Sequence, residues 1–269
     1  MAQRTFKALV TVLDFCGLIL LTALLLTPAR RHPIVNSIVV LCILHCIIGA
    51  LPPFLWLVSP ASKAALTHLG PSHKGWQLFC LADAVLLNYF TIVKSAFAIS
   101  FTLPCVYLAL KFTGNRDKLE SQAGPQFYKR TTIALCVGPF LWASPLILEL
   151  APTLAHNPVS LQPQFVGPMC IAVNQAAQIL ALVLTLFPLT IAVIASGVLA
   201  FILLKCYKLP DLRRSLAVLN PIRIVRFAAL LITIVVSAVL YSLVLAVWLQ
   251  ASRGPDSVKA RHAFMFISP

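Results

Sequence analysis

Charge is scarce in this sequence, and acidic charge scarcest of all: Asp and Glu together number 7, and charged residues make up 10% of the 269 positions. A water-soluble fold of this length needs polar surface to cover its core, and 60% hydrophobic residues beside so little charge leave too little to do so. The spacings that carry most catalysis are lacking as well. There is no HExxH, no paired-acid motif, no Gly-rich phosphate loop and no Gly-x-Ser-x-Gly elbow. Only His45 lies deep in an apolar stretch, while His68 and His73 fall in a connection, so no histidine cluster is spaced to hold a metal. His45 reads as a packed or hydrogen-bonded interior residue. The expectation is a chain that is not an enzyme and holds no metal and no cofactor. Repeats, heptads, Gly/Ser linkers and low-complexity tracts are also missing, which leaves nowhere to divide residues 1–269 into more than a single domain.

What the sequence has instead is long apolar runs. Six of them, Ala8 to Thr27, Ile34 to Val58, Phe79 to Leu110, Thr131 to Ala151, Ile171 to Leu204 and Ile224 to Leu249, each reach the length of about 20 residues that crosses a bilayer. Lipid offers backbone amides no partners, so the runs are expected to be helices. A mean hydropathy of +0.93 agrees. The predicted fold class is an all-α polytopic transmembrane helix bundle with six complete helices. A seventh begins at Ala263 and stops at Pro269 after seven residues; the sequence is expected to be either a fragment lacking a seventh helix or a six-helix protein with both ends outside. Arg4 and Lys7 ahead of the first run resemble the start of a signal peptide. That run is long, contains Asp14 and ends in Thr27-Pro28-Ala29-Arg30 without a small-x-small cleavage site, which favours a retained helix.

Lys and Arg accumulate in cytoplasmic loops, and here they alternate. The first, third and fifth connections, with Arg226 at the helix edge, hold 13, while the N-terminal tail and the remaining connections hold 7. The N-terminus is therefore expected outside, in an integral membrane protein of the plasma membrane. The net charge of +14 reads as topology plus attraction to anionic lipid of the bilayer and not as a nucleic-acid surface.

Topology also sorts the cysteines. Cys16, Cys42, Cys46, Cys105 and Cys136 lie within apolar runs, and Cys206 follows the fifth run on the cytoplasmic side. Cys80, at the outer end of the third run, and Cys170, just before the fifth, share the oxidising side, where they can form a disulfide or stand as two free thiols. Ionisable residues inside the runs are costly and normally face the bundle interior. Lys94 falls mid-way along the third run, Asp83 near its outer end, Asp14 in the first and Glu149 near the outer end of the fourth. Asp83 and Lys94 are eleven residues apart, which puts them on one face with Leu87 and Phe90 but about 16 Å apart along the axis. Lys94 is expected either to snorkel or to point into the bundle with an acidic or carbonyl partner, Asp14 being the nearest acid.

A bridge from the outer end of helix three to the loop before helix five resembles the external staple of rhodopsin-like G-protein-coupled receptors. Arg30-Arg31-His32-Pro33-Ile34-Val35-Asn36 is similar to that family's first cytoplasmic loop and the opening of helix two. Trp142, Pro152 and Pro188 resemble its landmarks in helices four and five. In the run Cys80-Leu-Ala-Asp-Ala and the His32-Pro33 opening, the chain looks most like the seven-helix receptor-like proteins of basidiomycete fungi. The resemblance implies a receptor that takes a small-molecule or peptide ligand between helices near the outer face, where Asp14, Asp83, Lys94 and Glu149 would meet it, and that signals to a heterotrimeric G protein. The inner end of the third run reads Pro104-Cys105-Val106 in place of the family's acidic-Arg-aromatic triplet. G-protein contact would then fall to Arg213, Arg214, Arg223 and Arg226. The alternative is a small-solute membrane carrier or a non-signalling membrane protein; a carrier needs broken helices, for which Pro139, Pro145 and Pro188 are candidates, though no internal symmetry accompanies them.

Overall fold

The computed structural model describes residues 12, 15–23, 25–26, 33–61, 64, 74–113, 125–156, 163–166, 169–172 and 175–207. Its helices are α1 over residues 15–23, α2 (Pro33–Val58), α3 (Lys74–Thr113), α4 (Pro125–His156) and α5 (Gln175–Tyr207). Between α4 and α5, β1 (Pro163–Val166) and β2 (Met169–Ala172) form an antiparallel hairpin in which Phe165 faces Cys170. Four helices are long and apolar enough to cross a membrane, over Pro33–Val58, Gly75–Tyr107, Arg130–Ala151 and Ala177–Ile202. The protein is an all-α integral membrane protein in its described part. The sixth run, the start of a seventh helix, Asp14 and the four arginines Arg213, Arg214, Arg223 and Arg226 lie outside the described residues.

Helix α3 occupies the centre. It packs against α5, α4 and α2, and 56% of its most apolar window is buried, against 44% for α5 and 22% for α2 and α4. The core joins Leu81, Ile92, Val93 and Phe97 of α3 to Leu41 of α2, Ala143 and Leu146 of α4, and Ala181 and Leu184 of α5. Large apolar side chains such as Leu148, Ile194 and Phe201 are exposed, as the surface of a helix in lipid requires. Phe97 meets Phe140 edge-on at 5.8 Å between α3 and α4, and Phe15 meets Phe54 at 5.9 Å between α1 and α2. Gly17 of α1 packs beside α2, where a Cβ would meet the Cys46 sulfur at 3.5 Å, an ordinary van der Waals contact.

Several hydroxyls inside these helices return to their own backbone, the cheapest solution where water is absent, while the buried Ser196 hydroxyl has no hydrogen-bond partner. Thr91 donates to Leu87, Ser95 to Ile92, Thr102 to Ala98 and Thr185 to Ala181, all at 2.7–2.9 Å. Proline poses the opposite problem, because it removes the N–H that would bond the carbonyl four residues earlier. Pro145 frees the carbonyl of Leu141, which accepts from the Ser144 hydroxyl at 2.7 Å. Pro188 frees the carbonyl of Leu184, which accepts from the Trp142 indole N–H at 2.9 Å, across from α4 to α5.

Boundaries differ from the sequence expectation at one informative place. The fifth apolar run starts at Ile171, but Ile171 and Ala172 belong to β2 and the helix begins at Gln175. Strand and helix are equally apolar there, so hydropathy fuses them.

Candidate functional site

The N-terminal end of α3 carries the most concentrated chemistry. Trp76, Phe79, Cys80 and Asp83 recur at the three- and four-residue spacing that lines one helix face. Cys80 and Cys170 stand at disulfide distance, their Cα atoms 5.0 Å apart, which ties β2 to α3 across 90 residues. The two sulfurs and Ala84 are fully enclosed, with Trp56 of α2, Trp76 and Phe79 packed around them, and Trp76 meets Phe79 edge-on at 5.6 Å. Asp83 sits one turn below the bridge and is only 4% exposed. The Cys170 backbone N–H donates to its carboxylate, and Oδ2 has no hydrogen-bond partner. A buried carboxylate with a vacant acceptor is costly unless a donor or cation meets it.

Lys94 lies three turns further in. It is half-buried and within electrostatic reach of Cys42 and His45 on the facing turn of α2. His45, expected to be a packed or hydrogen-bonded interior residue, is half-buried, and its Nδ1 has no hydrogen-bond partner. Glu149 is exposed on α4, beside the buried Leu146 and Leu150 and not among them. The structure thus aligns Asp83 and Lys94 on α3, adds His45 to Lys94, and leaves Glu149 at the outer surface of the described residues. Asp14 and the arginines Arg213, Arg214, Arg223 and Arg226 cannot be placed because they fall outside those residues.

No family model, curated protein or solved structure matches this chain. Among the described residues, no three of His, Cys, Asp and Glu gather in a metal-binding group.

A second feature lies on the other side of α3. A cleft of about 220 Å³ opens between α3, α4 and α5, with the stacked rings of Trp142 and Phe187, 5.5 Å apart, at one end. Sequence reasoning missed it, and missed the Trp142 hydrogen bond. The signal was present in part: Pro188 predicts an unpaired carbonyl at Leu184, though only packing reveals which donor reaches it.

Proposed function

We propose that this integral membrane protein is a receptor, taking a ligand between its helices near the outer face and signalling through its basic inner loops to a heterotrimeric G protein. The observation that carries the reading is the pairing of Cys80 with Cys170, which fastens the loop before α5 over the outer end of α3 with Asp83 buried directly beneath. A lid held in this way shapes an entrance from outside, and Asp83 and Lys94 beneath it supply opposite charges about 16 Å apart on one face. In the full reading the bundle has six complete helices and the start of a seventh within a single domain, the N-terminus is outside, and the membrane is the plasma membrane. Basic loops would hold the partner, with Arg213, Arg214, Arg223 and Arg226 reaching its acidic and carbonyl groups. No catalytic role is part of this reading.

The carrier alternative draws on a specific observation, the prolines inside α2, α3 and α5 that weaken those helices at Pro52, Pro53, Pro104 and Pro188. One experiment separates the two. The full-length gene is expressed with G-protein activation sensors beside a variant in which the four arginines are alanine. Loss of activation in the variant is expected; equal signalling from both removes the proposed surface, and solute flux without any G-protein response favours the carrier.

A further inference from the structure

Helix α3 gathers its polar residues on one side. At 3.6 residues per turn, Asp83, Asn88, Thr91, Lys94, Ser95 and Thr102 fall within an arc of about 140°, and of the polar side chains in that stretch Tyr89 and Ser100 alone lie elsewhere. The residues that α3 gives to the core, Leu81, Ile92, Val93 and Phe97, all lie outside the arc. The face that packs the bundle and the polar face are therefore different faces.

A polar arc on a membrane helix meets protein, lipid or water. Close packing against protein would bury it throughout, and burial is complete at Asp83 and Ala84, beside the bridge to β2, and at Ser95 and Thr102 further along. Between them it is open: Leu87, Thr91, Lys94 and Ala98 are half-buried and Asn88 is exposed. Lipid along this stretch would set an ammonium and an amide in hydrocarbon, where such groups are rare because they are costly. Water fits both the polarity and the exposure.

Within the open stretch, Asn88 is the side chain that can both donate and accept. Thr91 commits its hydroxyl proton to the Leu87 carbonyl, and a lysine ammonium only donates. Asn88 gives one N–H to the Ala84 carbonyl at 3.0 Å and keeps a second N–H and its Oδ1. It follows Cys80 by eight residues, about 12 Å along the axis, so it stands two turns beyond the point where the hairpin is tied to α3.

We propose that the polar arc of α3 lines a water-filled crevice entered beneath the hairpin, and that Asn88 holds a carboxamide group of the ligand there. Two hydrogen bonds form side by side: Oδ1 accepts from the ligand N–H, and the second Asn88 N–H donates to the ligand carbonyl. An ester or ether brings acceptors alone and an ammonium donors alone, so each makes one bond of the two. The ligand contact rests on the receptor reading, whereas the crevice does not.

Thiol accessibility tests both parts. The full-length protein in cells, with Cys16, Cys42, Cys46, Cys105, Cys136 and Cys206 replaced by alanine and the Cys80–Cys170 pair kept, receives one new cysteine at a time on α3. It is treated from outside with a membrane-impermeant trimethylammonium methanethiosulfonate. Asn88 and Leu86 are both exposed but lie about 160° apart around the helix. Asn88→Cys should react at least about tenfold faster than Leu86→Cys, because the thiolate is the reactive form and apolar surroundings suppress it. Equal rates, or no reaction of Asn88→Cys from either side, would overturn the crevice. Reaction from the cytoplasmic side alone would overturn the entry beneath the hairpin, and the receptor reading with it.

The second arm uses Thr91→Cys, about one turn beyond Asn88, with millimolar benzamide as the probe. Benzamide should slow its modification about fivefold, the scale of one net hydrogen bond. Methyl benzoate, which has no N–H, should protect less, and Asn88→Leu should remove the protection by benzamide. Equal protection by the ester, protection that persists in Asn88→Leu, or none from benzamide would overturn the carboxamide contact and leave the crevice standing. Neither arm reads G-protein activation, so failure of either is distinct from failure of the receptor reading.

Discussion

Trp142 makes two attachments to α5 at once, through its ring face to Phe187 and through its N–H to Leu184. The hydrogen bond exists because Pro188 vacates the acceptor, so its worth should depend on the proline. Trp142→Phe is expected to cost about 1 kcal/mol of stability in detergent, the usual scale for a hydrogen bond between membrane helices. In a Pro188→Ala background the carbonyl recovers a backbone partner and the same substitution should cost much less. Thermal unfolding of the four proteins closes the cycle, and an equal cost in both backgrounds would place the loss in ring packing and not in the bond. At this scale the sequence was legible in kind more than in partner. It marked Lys94, Asp83 and His45 as interior groups because apolar runs rarely contain them. It was silent on Lys94 facing His45 and Cys42, since that depends on how α2 and α3 are rotated against each other.

Among the elements, α2 was the most legible: the expected Ile34 to Val58 differs from Pro33–Val58 by one residue. Proline opens it at a position that needs no N–H, and the chain closes behind it with the Ser59 N–H on the Leu55 carbonyl at 3.1 Å. Helices α3 and α4 extend beyond their expected ends, because polar turns outside the hydrocarbon carry no apolar signal. The β-hairpin was not legible, its second strand being as apolar as the helix that follows. Its attachment can be tested. Closing a loop across 90 residues is worth at most about 5 kcal/mol in the loop-entropy model, less here because the helices stay inserted in the unfolded state. Cys80→Ser should lower the unfolding temperature by several degrees, and reducing agent should lower the parent protein to the same value while leaving the variant unchanged. An unaffected parent would mean that the two sulfurs do not hold the hairpin.

For the whole molecule, the alternation of Lys and Arg makes the orientation testable. A tag in the 152–170 connection is expected to bind antibody on intact cells, and one in the 205–223 segment only after permeabilisation. Surface staining of the second tag would invert the topology and with it the receptor reading, because Asp83 would then open to the cytoplasm. Four spans were legible as membrane helices from length and charge alone. The central position of α3 was not, since its run is no more apolar than its neighbours and only the burial of Asp83, Ser95, Ser100 and Thr102 distinguishes it.

The donor and acceptor that couple α4 to α5 are also separated in time. Synthesis proceeds from the N-terminus, so Trp142 reaches the membrane ahead of Pro188. The helix that needs help therefore arrives second, beside a neighbour already carrying the group it lacks. A proline on α4 in place of the one on α5 would instead leave α4 to insert with an unanswered carbonyl. Insertion of α4 alone should then become less efficient, a defect visible during biogenesis and invisible in the final fold.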